Sequence, residues 1–285
     1  MHREGFLFYH THLILLNFDY LKLKMFYYIF IIILILAAAY FLSWRPRRAD
    51  RYYNQQRLWF AHRGAMLKAP ENTLSSFQKA TDSGLPAVEM DVVSTKDGVV
   101  VCSHNFDLEE KTDGFGYIHQ MNHDQLNDIR IFGPEESTEH FCTLAKALKE
   151  AGKNTRINIE IKTFKKFDLG TAIRVLRIIK NADISDRVMI SSFYPIPLIL
   201  IKLLNRTIPT GFIIQNKELL PLIHLIKPDF IHPRGDIISA EFIHQIKRKG
   251  MRLNAWTINT KPAIEWLENQ GVDGIITDRL EFYNR

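Results

Sequence analysis

The amino-acid sequence predicts an α/β protein, a (β/α)8 TIM barrel with a small insertion after the second strand, preceded by one N-terminal transmembrane helix. Residues 26–44 carry no charge, and from residue 58 onward short apolar runs alternate with amphipathic helical patterns. Such alternation is typical of parallel β/α units. The predicted segments are an N-terminal segment (1–24), a transmembrane helix (25–44), a basic linker (45–57) and a catalytic barrel (58–285) with its insertion at about 105–142.

The uncharged run at residues 26–44 predicts the transmembrane helix. It is nineteen residues long, and at about 1.5 Å per residue it spans roughly 28 Å, close to the ~30 Å hydrocarbon core of a bilayer. Aromatic residues lie near both of its ends, as in membrane-spanning helices. A buried core helix is a less favoured alternative for this run, because core helices rarely lack every polar residue. A cleaved signal peptide needs a small-residue cleavage site, but the residues that follow are Arg45-Pro46-Arg47-Arg48.

Positive charge is concentrated around this helix. Residues 1–57 hold eight Lys or Arg and three Asp or Glu, which is +5 of the chain's net charge of +6. This distribution favours contact with anionic lipid headgroups, and no nucleic-acid partner is expected. More cations follow the helix than precede it, so the positive-inside rule predicts a cytoplasmic catalytic domain.

No protein partner is predicted. The only cysteines, Cys102 and Cys142, offer neither a disulfide framework nor a metal-binding spacing.

Eight strand-like runs separated by helical patterns fill the rest of the chain. Strands are predicted at 58–62, 87–93 (continued by 99–103), 156–161, 187–191, 210–214, 229–232, 252–257 and 273–277. Helices are predicted at 73–83, 143–151, 168–182, 195–205, 217–226, 239–249 and 261–270. An open doubly wound sheet would need a glycine-rich phosphate loop after its first strand, and none is present, so a closed barrel is favoured. The long connection before residue 143 predicts either a functional loop or a small subdomain, placed over the C-terminal face of the barrel.

Charged residues recur at the C-terminal ends of the predicted strands, where barrel enzymes carry their chemistry. Glu89 and Asp91 are two apart and therefore share one face of their strand, as do Glu160 and Lys162. Burying such charges is costly unless they are paired or bind a metal. Three carboxylates can bind a divalent cation, and two imidazoles with two fixed cations are suited to acid–base catalysis on a phosphate ester. The residues predicted to converge are His62, Arg63, Glu89, Asp91, His104, Glu160 and Lys162.

An ordered series of motifs across residues 58–285 resembles the glycerophosphodiester phosphodiesterase family. The matching segments are HRG (62–64), ENT (71–73), EMD (89–91), SHNFDL (103–108), IEIK (159–162), SSF (191–193), AWTIN (255–259) and GVDGIITD (271–278). The resemblance implies hydrolysis of a glycerophosphodiester to an alcohol and sn-glycerol 3-phosphate. It departs at residues 104–112, where the family pattern HDxxLxRTT reads HNFDLEEKT, so that Asn105 replaces an acid and Glu110-Lys111 replaces an Arg-Thr pair.

The resemblance also implies residue roles. His62 and His104 match the family's acid/base pair. The matched carboxylates, which would bind one divalent cation, Mg2+ or Ca2+, are Glu89, Asp91 and Glu160. The matched substrate contacts are Arg63 and Lys162, on the phosphate, and Trp256, an aromatic residue that lines the pocket.

Several alternatives stay open at this point. A membrane anchor would place lipids beside the domain, so a lysophospholipase D acting on lysophospholipids is the nearest alternative. A non-catalytic lipid-headgroup binding module and a phospholipase C-like barrel belong to other classes. Among single residues, Asn72 is predicted to cap the helix that begins near Thr73. His232 is interpreted as a core histidine or a site residue, and Asp278 as a turn cap or a site residue.

Overall fold

The computed structural model describes residues 4–42, 49–54, 56–164 and 168–283. The chain divides into two compact units, Met1–Trp44 and Arg45–Arg285. The ends of the predicted transmembrane helix (43–44) and of the N-terminal segment (1–3) lie outside the described residues, as do residues 45–48 and 55 of the predicted linker.

The first unit contains one long helix, α1 (Glu4–Leu42). Its stretch Asp19–Ala39 is long and apolar enough to cross a membrane, and none of that stretch is buried within the protein. With 21 residues it measures about 31 Å, close to the thickness of a bilayer core. The helix begins well before the predicted start at residue 25, because the apolar residues upstream include no proline to end it.

The second unit is built on a closed barrel. The strands in chain order are β1 (Leu58–Ala61), β2 (Ala87–Ser94), β3 (Val100–Cys102), β4 (Arg130–Phe132), β5 (Thr138–His140), β6 (Arg156–Ile161), β7 (Val188–Ser192), β8 (Thr210–Ile214), β9 (Phe230–Pro233), β10 (Arg252–Ala255) and β11 (Gly274–Thr277). Eight of them are parallel neighbours in the order β1-β11-β10-β9-β8-β7-β6-β2, and a β1–β2 pairing closes the ring. The (β/α)8 prediction is confirmed.

Apart from the first helix of this unit, which precedes β1, the helices follow strands on the outside of the barrel. In chain order they are α2 (Ala49–Tyr53), α3 (Leu74–Asp82), α4 (Leu144–Glu150), α5 (Gly170–Ala182), α6 (Pro195–Leu204), α7 (Ile223–Ile226), α8 (Ala240–Arg248) and α9 (Lys261–Asn269). The helix predicted at 217–226 is instead a 3-10 segment, Lys217–Leu222, followed by the single turn α7. Pro221 lies inside that segment and has no N–H for a helical hydrogen bond.

Helix α2 packs into the N-terminal end of the barrel. Tyr52 and Tyr53 are each 1% exposed, and their rings lie 6.0 and 5.4 Å from that of Phe230 at the start of β9. The Tyr53 hydroxyl donates to Oδ1 of Asn254 on β10. The segment predicted as a basic linker therefore includes a buried helix that fills this end of the barrel, because its two tyrosines carry large apolar surface.

The insertion after β2 is a small subdomain. Strand β3 returns antiparallel to β2, and β4 and β5 form a separate hairpin. Its own apolar cluster consists of Val93, Val101, Leu108, Ile118 and Leu126. A compact cluster of this kind accounts for the length of the connection, because the segment buries its own side chains.

Candidate active site

Three carboxylates converge at the C-terminal end of neighbouring strands. Glu89 and Asp91 project from β2 and Glu160 from β6, and Asp91 and Glu160 are direct neighbours in the strand register. One oxygen atom from each of the three lies within 4.8 Å of the others. Glu89 and Asp91 are only 3% and 1% exposed. Because side chains two apart share one face of a strand, the Glu-x-Asp spacing delivers both groups to the barrel interior.

Two cations compensate this negative charge. Lys162 Nζ lies 3.0 Å from Glu160 Oε1 and 3.4 Å from Asp91 Oδ1. Arg63 Nε lies 3.4 Å from Asp91 Oδ2, and Arg63 Nη1 donates to Glu71 Oε1 at 3.0 Å. The backbone N–H of Arg63 donates to Glu89 Oε2 at 2.9 Å. Each carboxylate therefore contacts at least one donor or cation.

The pKa directions follow from burial and these neighbours. Burial raises the pKa of Glu89 well above its usual value, and the charges of Asp91 and Glu160 raise it further. Burial also raises the pKa of Glu160, although Lys162 opposes the shift. For Asp91 burial acts in the same direction, but Lys162 and Arg63 outweigh it and lower the pKa to about 2. Negative charge is thus in excess around Glu89.

The donor set fits a divalent cation. Glu89 Oε1 is buried and has no hydrogen-bond partner among the residues that the structure describes. An unsatisfied buried carboxylate oxygen is costly, and a bound cation would remove that cost. Carboxylate oxygens are the ligands that hard cations such as Mg2+ and Ca2+ prefer. The cluster formed by Glu89, Asp91 and Glu160 therefore fits a metal site, whichever of these ions binds.

Asn72 fixes the orientation of Asp91. Its side-chain amide donates to Asp91 Oδ2 at 3.0 Å, and its Oδ1 accepts the backbone N–H of Asp91, also at 3.0 Å. The prediction that Asn72 caps the following helix is wrong. Thr73 is the N-cap of α3, whereas Asn72 adopts a left-handed backbone with φ 56° that turns its side chain toward β2.

His62 follows β1 and is oriented by a carboxylate. Its Nδ1 lies 2.7 Å from Asp278 Oδ1, beyond the end of β11. Asn259 donates to the other oxygen of Asp278 at 2.5 Å. Burial would raise the pKa of Asp278, but the contact with His62 outweighs it and lowers that pKa. Asp278 is thus an ionised partner for the imidazole. Of its two interpretations, a turn cap and a site residue, the contact with His62 favours the site residue.

His104 has an amide partner instead. Its Nδ1 lies 2.6 Å from Asn105 Oδ1, and the amide of Asn105 donates to Glu110 Oε2 at 2.7 Å. Two of the residues that depart from the family pattern therefore form one chain of contacts behind His104. Burial lowers the pKa of His104, and the charge of Asp91 only partly opposes that shift. The lowered pKa favours the neutral form of the His104 imidazole.

Trp256 and Phe193 form an aromatic pair beside Lys162. Their ring centroids lie 5.5 Å apart at 89°, and Lys162 Nζ lies 6.0 Å from the Phe193 centroid. The indole N–H of Trp256 donates to the carbonyl of His232 at 2.7 Å. His232 itself is 1% exposed and contacts Asn254 inside the barrel, so the interpretation as a core histidine is correct.

A second aromatic group, here named the aromatic wall, consists of Phe106, Tyr117, His119 and Phe164. The Phe164 ring stacks on His119 at 3.8 Å and lies 5.6 Å from Phe106 and 6.0 Å from Tyr117. Phe164 and Tyr117 are 52% and 43% exposed. Phe106 follows His104 by two residues and Phe164 follows Lys162 by two, so the wall adjoins the charged cluster.

The structure thus brings together the residues that the strand ends predict, and it adds supporting residues. Sequence reasoning missed Glu71 as a partner of Arg63, Asn259 as a partner of Asp278, and Phe193. The signals were present, since Glu71 and Asn72 belong to the ENT segment and Asn259 ends the AWTIN segment. Neither segment reveals which side chain meets which partner, because Arg63 and Glu71 lie in one irregular connection and Asn259 and Asp278 follow different strands.

Comparison with known proteins gives consistent matches. The model of the glycerophosphoryl diester phosphodiesterase family matches residues 62–282. A glycerophosphodiester phosphodiesterase from Caldanaerobacter subterraneus subsp. tengcongensis is 30% identical over 230 residues, which cover 79% of this chain and 95% of that protein. An Oleispira antarctica phosphodiesterase, solved with the product sn-glycerol-3-phosphate, superposes with a TM-score of 0.75 at 26% identity over 82% of this chain and 98% of its own. A glycerophosphodiester phosphodiesterase from Thermotoga maritima gives a TM-score of 0.66 at 26% identity, over 81% and 98%.

Proposed function

The chain belongs to the glycerophosphoryl diester phosphodiesterase family, and from that premise we propose that it hydrolyses glycerophosphodiesters to an alcohol and sn-glycerol 3-phosphate by metal-dependent, two-histidine catalysis. It is a phosphoric diester hydrolase. The observation that carries the proposed mechanism is the convergence of Glu89, Asp91 and Glu160 within 4.8 Å, next to two cations suited to a phosphate.

Glu89, Asp91 and Glu160 would hold one divalent cation, Mg2+ or Ca2+. When bound, such an ion supplies positive charge that neutralises the phosphodiester and stabilises charge developing during its cleavage. The lone Glu89 Oε1 supports this assignment, since it is a buried acceptor without a donor among the described residues.

Arg63 and Lys162 would bind the non-bridging phosphate oxygens. Both already lie within 3.4 Å of Asp91, so their side chains are held at the cluster before a substrate arrives. Fixed donors aimed at a phosphate stabilise its transition state without reorganisation at the moment of reaction. Trp256 and Phe193 would line the adjoining part of the pocket.

His104 and His62 would transfer the protons. The attacking oxygen, from water or from the glycerol 2-hydroxyl, gives its proton to Nε2 of His104, which its lowered pKa keeps neutral. Nε2 of His62 gives a proton to the leaving alcohol oxygen, and the Asp278 carboxylate stabilises the charged imidazole that donates it. The phosphorus–oxygen bond to the alcohol breaks as the new one forms. Attack by water gives sn-glycerol 3-phosphate directly, whereas attack by the 2-hydroxyl gives a cyclic phosphate that water opens in a second step.

The substrate is tested by measuring choline release from glycerophosphocholine and from lysophosphatidylcholine side by side, with Mg2+ and with Ca2+. We expect release from glycerophosphocholine that His62→Ala abolishes. A folded protein that cleaves neither compound would contradict the proposal. A non-catalytic headgroup-binding module would instead bind ligand without turnover and would retain that binding in the same variant.

A second candidate activity, lysophospholipase D, has one specific observation in its favour. The aromatic wall next to His104 and Lys162 leaves large ring faces in solvent, and exposed apolar patches mark binding surfaces. An open wall beside the Lys162 ammonium group suits a hydrocarbon chain better than a quaternary ammonium group, which needs an enclosing aromatic cage. On this proposal the wall receives the acyl chain of a lysophospholipid.

We further propose that Asp19–Ala39 anchors the protein in a membrane by a single pass, with the barrel in the cytoplasm. The apolar length of the helix and the excess of Arg between residues 45 and 57 support that arrangement. Protease treatment of sealed vesicles tests it, because a cytoplasmic barrel is protected only when the cytoplasmic side faces the lumen of the vesicle.

A further inference from the structure

The chain's two cysteines face each other across neighbouring antiparallel segments. The backbone N–H of Cys102 donates to the carbonyl of Cys142 at 2.9 Å, and Val101 forms a bridge with Thr143 alongside. The Cys142 thiol donates to the carbonyl of Asn72 at 3.6 Å. The side chains of Cys102 and Cys142 lie on the same face of the paired segments, because directly opposed residues of an antiparallel pair point the same way.

This placement permits a disulfide. Directly opposed residues in a hydrogen-bonded antiparallel pair have Cα atoms about 5.5 Å apart, which lies within the roughly 4.4–6.8 Å of known disulfides. Bond formation therefore requires rotation of the two side chains and a small movement of the backbone. Both residues are free thiols here, and the chain has only these two cysteines.

We propose that Cys102 and Cys142 form a reversible disulfide that acts on the catalytic centre through Asn72. Asn72 accepts the Cys142 S–H on its carbonyl and holds Asp91 with both ends of its side-chain amide. Forming the S–S bond removes that S–H and draws the Cys142 sulfur toward Cys102. The buried Asn72 carbonyl then lacks a donor, and the residue that orients Asp91 is released. The effect on activity rests on the proposed metal-dependent function, but formation of the bond does not.

A small cavity adjoins Cys102. Cys102 lines a cavity of about 20 Å³ that it shares with Asn72 and His104, which is room for one water-sized molecule. Hydrogen peroxide is among the few oxidants small enough to approach such a space, whereas a bulky alkylating reagent is too large. The hydrogen bond to Cys142 and burial raise the pKa of the Cys102 thiol, so oxidation is slow at neutral pH and accelerates as the pH rises.

The reaction with hydrogen peroxide balances. The Cys102 sulfur attacks one peroxide oxygen, the O–O bond breaks, and a sulfenic acid and one water form. The Cys142 sulfur then attacks Cys102, the S–S bond forms, the S–O bond breaks and a second water leaves. The two thiols lose two protons and two electrons, and peroxide accepts both.

The test treats the full-length protein, purified in detergent, with hydrogen peroxide. Three quantities are then measured: the number of free thiols after unfolding, the affinity for Mn2+ as a probe of the metal site, and the rate of choline release from glycerophosphocholine. We expect loss of both thiols with a mass decrease of two hydrogen atoms. Loss of a residue that orients a metal ligand weakens metal binding about tenfold or more, so we expect Mn2+ affinity to fall by about that factor and turnover to fall with it. Dithiothreitol should restore all three.

Cys102→Ala is the matched control, with Cys102→Ser as a second variant if the first does not fold. Both keep the Cys142 bond to Asn72 but cannot form the disulfide, so peroxide should leave their Mn2+ affinity and turnover unchanged. Persistence of both thiols in the oxidised wild type would overturn the proposal, as would a disulfide that leaves Mn2+ affinity intact. Equal inactivation of the control would also overturn it. An untreated protein without turnover would contradict the proposed function, while the thiol count would still decide whether the disulfide forms.

Discussion

His62 Nδ1 and Asp278 Oδ1 lie 2.7 Å apart, although the two residues are separated by 216 positions in the chain. Strands β1 and β11 are parallel neighbours with Ala61 opposite Thr277, so the next residue of each strand reaches the same edge of the barrel. Closure of the barrel between its first and last strands therefore creates this pair. It fixes which nitrogen of His62 faces the site.

Asp278→Asn tests this relationship. The amide keeps the shape of the side chain but cannot stabilise a charged imidazole, so kcat should fall by about 100-fold, within the usual range for acid–base catalysis. KM should change little, because Arg63 and Lys162 are untouched. Steady-state kinetics with glycerophosphocholine measures both. Glu281→Gln, at an exposed residue nearby, is the control, and an equal loss of kcat there would contradict a specific role for Asp278.

Asn105→Asp tests the environment of His104. A carboxylate in place of the amide, 2.6 Å from Nδ1, favours the protonated imidazole, so it should raise the pKa of His104, which burial lowers in the native protein. If His104 accepts a proton in its neutral form, the acid limb of kcat/KM against pH should move upward by about one pH unit. A limb that stays in place would argue against His104 as the base.

Tyr53→Phe tests the packing of helix α2. The Tyr53 hydroxyl donates to buried Asn254, and its removal leaves that acceptor unsatisfied, which should lower the free energy of unfolding by about 1–3 kcal/mol. Tyr52 provides a matched control, because its buried hydroxyl has no hydrogen-bond partner in the described part of the chain. Tyr52→Phe should be neutral or stabilising in the same denaturant titration. Equal destabilisation by both variants would contradict a specific contribution of the Tyr53–Asn254 hydrogen bond.

Phe164→Ala tests the aromatic wall. The ring is 52% exposed, and covering about 40 Å² of that surface with an acyl chain is worth about 1 kcal/mol at roughly 25 cal/mol per Å². KM for lysophosphatidylcholine should therefore rise about fivefold, whereas KM for glycerophosphocholine, which has no chain, should not change. Trp266→Ala removes an exposed ring on α9 and should affect neither substrate. A parallel rise for both substrates would exclude an acyl-chain site.

Much of the fold could be predicted from the sequence because strand and helix periodicity are local properties. The Glu-x-Asp spacing on β2 and the position of Glu160 on the next strand of the barrel were enough to predict a shared site. The buried helix α2 was not predicted, because its arginine-rich surroundings resemble a solvated linker and its tyrosines reveal their role only when packed on Phe230.

The supporting contacts of the site could not be read from local pattern. Asn72 precedes a helix, where an amide usually caps the helix, yet a left-handed backbone directs it to Asp91. Asp278 directly follows a strand whether it is a turn cap or a site residue, and only closure of the barrel places it against His62. Such contacts depend on three-dimensional register, which one sequence does not encode locally.

The most direct test of the central claim is the rate of choline release from glycerophosphocholine after divalent cations are removed with a chelator. The account predicts loss of turnover, recovery on addition of Mg2+ or Ca2+, and no recovery in Glu89→Gln, which keeps the volume of the side chain but not its charge. Full turnover of the chelated wild-type protein would contradict a cation held by Glu89, Asp91 and Glu160.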